Sequence, residues 1–263
     1  MYKHLITLFF CLLSFFSQSQ PSTSLETKTK GTFYFSWGYT RATYSKSNLH
    51  FKDDGSDKYD FVLKNVAAED KSDFENMLNK PLTVPQYVYR VGYFFNDKYN
   101  LGIEINFDHT KYVIKDNQTL HLEGTIRGSY FNQDTLVDRD FLLFEHTDGA
   151  NFLMVNGIKR FDFLSSKNKK FAINGIVKYG LGMVIPKTNV TLFGNKLDNK
   201  FHIAGIVTGP EAGLRFTAFN YFFVETVGKI TFANYMDVLV IGTGKAHHSF
   251  WTSQATLTAG FQF

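Results

Sequence analysis

Apolar and polar residues alternate one by one over long segments of this chain. In residues 251–263, one set of alternate positions is apolar except for Ser253, and the other set is entirely polar or glycine. Successive side chains of a β-strand point to opposite faces of the sheet, so this segment predicts a strand with one apolar face and one polar face. The same period of two recurs in residues 32–40, 87–95, 101–112, 151–163, 171–185, 203–216 and 222–230, which predicts eight strands.

The connections between the predicted strands alternate in length. Those after the second, fourth and sixth strands are short and turn-like, whereas those after the other strands are longer and polar, up to residues 45–86 and 115–150. This is the layout of an outer-membrane β-barrel, with short periplasmic turns and long extracellular loops. Residues 120–130 and 140–146 also alternate. They predict either a hairpin above the membrane or two further wall strands, which would make ten.

The direction of the apolar face separates a membrane barrel from a soluble, lipocalin-type barrel, which also has eight strands. Large aromatic side chains crowd the apolar face, and the interior of an eight-stranded barrel leaves room only for its own side chains. We therefore predict that the apolar face points to lipid. The polar face then forms a charge network in the lumen. Its predicted members are Arg90, Glu104, Asp108, Lys178, Glu225 and Lys229, and the less regular segments carry Lys159, Glu211 and Arg215.

The N-terminus has the pattern of a secretory signal peptide. A basic residue, Lys3, precedes an apolar run over residues 5–16 and small residues at 17–19. The run is shorter than the roughly 20 residues that a spanning helix needs. We predict a signal peptide over 1–19, a short periplasmic segment over 20–30 and a barrel domain over 31–263. The only cysteine, Cys11, lies in the signal, so the mature chain is predicted to have no disulfide or thiolate site.

The C-terminus resembles a known assembly signal. Phe261 and the terminal Phe263 continue the apolar alternation back to Trp251. This pattern resembles the C-terminal strand that the insertion machinery reads in outer-membrane barrels of Gram-negative bacteria. In layout the whole chain resembles small barrels of the OmpA and OmpX type. The resemblance implies an all-β, transmembrane, antiparallel up-and-down barrel whose partners are outer-membrane lipid, lipopolysaccharide and that machinery.

The net charge argues against one class of partner, and the motifs argue against a cofactor. The formal net charge of +4 is small and dispersed, which argues against a nucleic-acid partner. The sequence contains neither a glycine-rich phosphate loop nor a His-Glu zinc motif, so no cofactor is predicted.

His247 and Ser249 are weak catalytic candidates. Some outer-membrane lipases that deacylate lipid A carry a His-x-Ser pair on a lipid-facing strand, where the histidine can activate the serine. Both residues share the alternation of Trp251 and are predicted to face outward. However, residues 253–263 contain no acid to orient the histidine, and Phe250 replaces the usual asparagine. The alternative is a polar loop end at the membrane rim.

An acidic turn is the weak candidate for a metal site. Asp53, Asp54 and Asp57 lie close together, and calcium favours such oxygen ligands. The spacing does not fit an EF-hand loop, because Lys64 occupies its twelfth position. The alternative is a solvated turn between extended segments 49–52 and 59–63.

Three functions follow from these patterns. The first is a non-enzymatic outer-membrane barrel whose surface loops contact lipid or a partner. The second is a membrane-embedded acyl hydrolase acting on lipid A-type substrates. The third is a soluble periplasmic lipid-binding barrel.

Overall fold

The structure, a computed structural model, describes residues 31–55, 57–71, 86–95 and 99–263. The predicted signal peptide and the segment 20–30 lie outside these residues. Among the described residues every regular element is a β-strand. The strands are β1 (Thr32–Tyr44), β2 (Ser47–Asp53), β3 (Tyr59–Val66), β4 (Ala68–Glu69), β5 (Tyr87–Phe94), β6 (Leu101–Asp108), β7 (Tyr112–Ile114), β8 (Gln118–Ile126), β9 (Ser129–Val137), β10 (Leu142–His146), β11 (Ala150–Ser165), β12 (Phe171–Pro186), β13 (Asn189–Leu192), β14 (Asn195–Asp198), β15 (Gly205–Ala218), β16 (Phe222–Leu239) and β17 (Lys245–Gln262).

Eight strands close into a ring. They run in the order β1, β5, β6, β11, β12, β15, β16 and β17, and β17 pairs with β1 to complete the barrel. All neighbours are antiparallel, as where Trp37 of β1 lies between Ala259 of β17 and Tyr89 of β5. The predicted eight-stranded barrel is confirmed. The alternative of ten wall strands is wrong, because β8 and β9 form a hairpin outside the ring and β10 belongs to a second sheet.

The wall strands bury and expose alternate residues. In β17 the alternate positions from Trp251 to Phe261 are exposed, and the threonines and glutamine between them are buried. The outer surface carries large apolar side chains such as Ile105 and Leu257, which are 53% and 58% exposed. A soluble lipid-binding barrel would direct this face inward, so that alternative is wrong for this fold.

No helix among the described residues is long and apolar enough to cross a membrane.

Tight turns join the strands at the predicted periplasmic end. Between β15 and β16 the chain reverses at Phe219 and Asn220, whose φ angles are 56° and 58°. Positive φ at both central residues is the geometry of a type I′ turn, whose twist matches that of the flanking strands. Residues 165–170 make a second short turn. Of the predicted turn 96–100, residues 96–98 lie outside the described residues.

The extracellular connections are sheets rather than the polar loops that the sequence predicted. Strand β17 continues beyond β1 and pairs with β2, and the sheet then runs through β3 and β8 to β9. A second sheet has the order β14, β13, β10, β7 and β4. We call β2–β4, β7–β10, β13 and β14 together the cap. Likewise, the connection between β16 and β17 is a tight turn at 240–244 that ends a long hairpin, not a loop.

The cap folds because it has its own apolar core. Leu49, Phe61 and Phe144 are fully buried in it or nearly so. The same cluster includes Phe152 and Phe250, which point inward from the barrel strands at the extracellular mouth. Burial of several large side chains contributes about 2 kcal/mol for each of them, which is enough to order segments that look polar on average. The cap therefore packs directly onto the mouth of the barrel.

Candidate functional site: the lumen and the cap

Glu104 is the centre of a buried charge network in the lumen. Its carboxylate accepts hydrogen bonds from Arg90 Nη1 at 3.1 Å, Lys178 Nζ at 2.8 Å and the Tyr34 hydroxyl at 2.7 Å. Asn156 Nδ2 donates a further bond at 3.0 Å. Because β1, β5, β6, β11 and β12 supply these groups, the contacts cross the lumen and tie its wall strands together.

Three further carboxylates extend the network. Glu225 accepts from Lys178 Nζ and from Arg215 Nε, both at 2.8 Å. Glu211 accepts from Arg90 Nη1 at 2.7 Å and lies 3.1 Å from Lys229 Nζ, which donates to Asp108 at 2.6 Å. The cations and anions of this network balance. They are Arg90, Lys178, Arg215 and Lys229 against Glu104, Asp108, Glu211 and Glu225.

All six lumen residues predicted from the sequence lie in this network, and Glu211 and Arg215 complete it. The sequence named these two charges without assigning them to the network, because glycines and Pro210 blur the alternation on β15. The pairing register of the strands would have placed Glu211 in the network, since it lies opposite Lys178 and Lys229 on the two neighbouring strands. Lys159 lies on the outer face instead, with its Nζ 5.4 Å from the centre of the Phe161 ring.

Apolar groups close the lumen below and above the charges. Towards the periplasm, Tyr34, Phe94, Ile158, Ile176 and Phe223 form a small buried cluster. The guanidinium of Arg215 stacks over the rings of Phe223 and Tyr34, at 4.0 and 4.3 Å from their centres. Towards the outside, the mouth is filled by the cap core. The network is thus packed between two apolar layers, and each of its charges has a partner of opposite sign.

His247 and Ser249 both face outward, on the part of β17 above Trp251. His247 Nε2 lies 2.7 Å from His50 Nδ1, and His50 Nε2 lies 2.6 Å from Asp60 Oδ1. Asp60 on β3 thus supplies, through His50 on β2, the carboxylate that β17 lacks. The sequence analysis did not predict this contact. Among the described residues no hydrogen bond joins His247 to Ser249. Partial burial, then His50, lowers the pKa of His247.

The acidic turn is held by hydrogen bonds. Asp53 accepts from Thr243 Oγ1 at 2.6 Å and from the backbone amides of Gly55 and Asp57. The Thr243 bond is the largest cause that lowers the pKa of Asp53. Burial opposes it, and the bonds from the two amides lower the pKa further. Asp54 and Asp57 instead pair with Lys52 and Arg127. Within the described ranges, no cluster of three or more His, Cys, Asp or Glu side chains could hold a metal ion.

The C-terminal phenylalanines lie on the outer face at the periplasmic end of the barrel. Phe261 and Phe263 are 44% and 66% exposed and pack against Tyr221. The backbone of Phe263 exchanges two hydrogen bonds with Phe33, at 2.8 and 3.0 Å, which closes the barrel seam.

The chain is an eight-stranded antiparallel barrel of the outer-membrane type, with a charged lumen and a folded cap. Similar solved structures include Ail of Yersinia pestis (15% identity, TM-score 0.35, covering 89% of this chain and 100% of that one) and OprG of Pseudomonas aeruginosa (11%, 0.39, 89% and 96%). Neisserial surface protein A is a third (10%, 0.35, 88% and 97%). No protein-family model and no curated protein sequence matches the chain.

Proposed function

We propose that this protein is a non-enzymatic barrel of the Gram-negative outer membrane whose cap contacts a partner at the cell surface. The observation that carries the proposal is the free edge of β9. This strand ends the twelve-stranded sheet, and within the described part of the chain it pairs only with β8. A free strand edge presents unpaired amide and carbonyl groups to which an extended polypeptide can add as a further strand.

The side chains of β9 suit such a contact. Tyr130 and Leu136 are 64% and 57% exposed, although the cap has a well-packed core below them. Asp134 is the only charged residue on the strand, so little repulsion opposes an approaching chain. Exposed aromatic and aliphatic groups beside a free edge favour a polypeptide over lipid as the partner of the cap.

Site-specific crosslinking tests this proposal. A photoreactive benzoylphenylalanine in place of Tyr130 should give a covalent adduct with a polypeptide on intact cells. The same residue in place of Tyr179, an exposed tyrosine of the lipid-facing wall, should give only lipid adducts.

Proline substitutions then test the edge itself. Successive amides of a strand alternate between its two edges, so one of Asn132→Pro and Gln133→Pro removes an N–H from the free edge and the other breaks the pairing with β8. We expect the edge variant to lose the adduct while its cap stays folded. Adducts with lipid alone at position 130 would refute the proposal.

The route to the membrane is part of the same proposal. Residues 1–19 direct export as a signal peptide, and Phe261 and Phe263 are read by the insertion machinery. The exposed position of both rings at the barrel seam supports this reading. Replacing both with alanine should leave exported but uninserted protein, which is seen as loss of heat-modifiable migration on a gel.

A second candidate function is hydrolysis of membrane acyl lipid. The hydrogen-bonded series Asp60, His50 and His247 favours it, because a carboxylate can orient the histidine that acts as a base. Mass spectra of lipid A from cells with and without the gene test this function. Loss of acyl chains that survives Ser249→Ala would exclude Ser249 as the nucleophile, and identical spectra would exclude the activity.

A further inference from the structure

Two buried histidines lie where the cap meets the barrel. His146 is on β10 of the cap and His248 is on β17 of the wall, and their ring centres are 5.9 Å apart. Both rings stack on Tyr235 of β16, at 5.3 Å for His146 and 4.9 Å for His248. Tyr112 of β7 and Phe144 of β10 also contact both rings. The pair therefore forms part of the seal between the two bodies.

The polar atoms of this pair are poorly satisfied. His146 is fully buried, and its Nδ1 lies 3.1 Å from the hydroxyl of Thr188. Its Nε2, and both ring nitrogens of His248, have no hydrogen-bond partner among the residues that the structure describes. A protonated imidazole needs two acceptors, so neither site is built to hold a charged ring.

No carboxylate of the described residues contacts either ring. The nearby hydroxyls of Tyr44, Tyr112 and Tyr235 are bonded to Lys111 O, Ser47 Oγ and Ala150 O. The carboxylate next in sequence, Glu145, bonds to Asn189 and Thr147 and pairs with Lys71.

The remaining titratable neighbours are imidazoles. They are His202 beside His146 and His247 beside His248. Burial is the largest cause that lowers the pKa of both buried rings, well below the usual value for His146 and to about 3 for His248.

We propose that His146 and His248 form an acid-sensitive latch that holds the cap on the barrel mouth while both are neutral and releases it when they are protonated. In an opened cap, both rings return to water and to an ordinary pKa near 6.5. The closed state is therefore fully favoured above about pH 6.5 and loses stability as pH falls towards the lowered pKa values. Opening takes up two protons, so its equilibrium constant rises by up to about 100-fold per pH unit.

Amide hydrogen exchange of the full protein in detergent micelles tests the latch. Between pH 7.5 and 5, after correction for the intrinsic exchange rate, exchange of β7 and β10 should accelerate, whereas β12 and β15 of the wall should not. The double variant His146→Phe/His248→Phe keeps aromatic rings in place and removes the titration. It should make cap exchange independent of pH.

Single variants and a matched control sharpen the test. Each single Phe variant retains one titrating ring, so its opening should change by at most about 10-fold per pH unit. His121→Phe alters a histidine on the outer surface of β8 and should behave as the wild type. Cap exchange that ignores pH in the wild type, or that keeps its full pH dependence in the double variant, would overturn the proposal. The latch does not depend on a partner binding β9.

Discussion

The lumen of the barrel and the interior of the cap are built in opposite ways. The charge network in the lumen joins eight side chains, four of each sign, whereas the cap core holds leucine, phenylalanine and other apolar residues. Both interiors result from the same alternation of apolar and polar residues along their strands. In the barrel wall the apolar face points outward to lipid and the polar face points into the lumen. In the cap the polar face points outward to water and the apolar face forms the core.

One strand shows the change directly. In β17 the outward-facing set from Trp251 to Phe261 is largely apolar, whereas above Trp251 the outward-facing residues are Ser249, His247 and Lys245. The buried set changes in the other direction, from threonine and glutamine below to Phe250, His248 and Ala246 above. The pattern therefore reverses between residues 250 and 251, and this reversal marks the upper edge of the lipid-facing belt.

The largest expected effect comes from breaking the lumen network at its centre. Glu104→Leu leaves Arg90 and Lys178 each short of a buried partner, and the free energy of unfolding should fall by about 4 kcal/mol. Urea unfolding in phospholipid vesicles measures it. The double variant Glu104→Leu/Lys178→Met restores charge balance and should recover more than half of the loss. Equal losses in the two variants would mean that pairing does not explain the effect.

A cavity in the cap core should have a smaller and strictly local effect. Leu49 is fully buried on β2, and Leu49→Ala should destabilise the cap by about 3 kcal/mol. Limited proteolysis of the cap should accelerate while the barrel keeps its heat-modifiable migration. Loss of both together would show that the cap and the barrel unfold as one unit.

The outer surfaces of the two regions differ in what they tolerate. Leu257 lies on the lipid face, midway along β17 between Trp251 and Phe263, and Leu257→Arg should cost about 2 kcal/mol in vesicles. His247→Arg places the same side chain on the same strand but above the belt, and should change unfolding by much less. Similar costs at both positions would contradict the proposed edge of the belt at residues 250–251.

The barrel was predictable because its long strands alternate strictly between apolar residues that face lipid and polar residues that face the lumen. The cap was harder, since β2, β3 and β10 are short and their pairing depends on partners far away in sequence. Leu49 lies opposite Leu63, for example, and Phe144 lies opposite Val190 on the second sheet. Strand periodicity identified 49–52 and 59–63 as extended, but it could not show which residues they would bury.

The contacts between side chains could not be predicted from the sequence either, because they also depend on strand pairing. The approach of Asp60 to His247 through His50 requires the register of β17, β2 and β3 together. Glu211 and Arg215 were visible as charges, but their role needed the register of β15 with both neighbours. Single-strand patterns predict which face a residue takes, and pairing between strands determines what it meets there.

The smallest effect is expected at the acidic turn, where the cap meets the β16–β17 hairpin. Asp53→Asn weakens the bonds from Thr243 and the amides of Gly55 and Asp57, and should cost about 1 kcal/mol of cap stability at neutral pH. The pKa of Asp53 is lowered in the folded protein. Its contribution is thus present above the ordinary carboxyl pKa and is lost as pH falls below it. Wild type and variant should therefore differ in cap exchange at pH 7 and converge below about pH 4, whereas a difference that persists in acid would point to packing rather than charge.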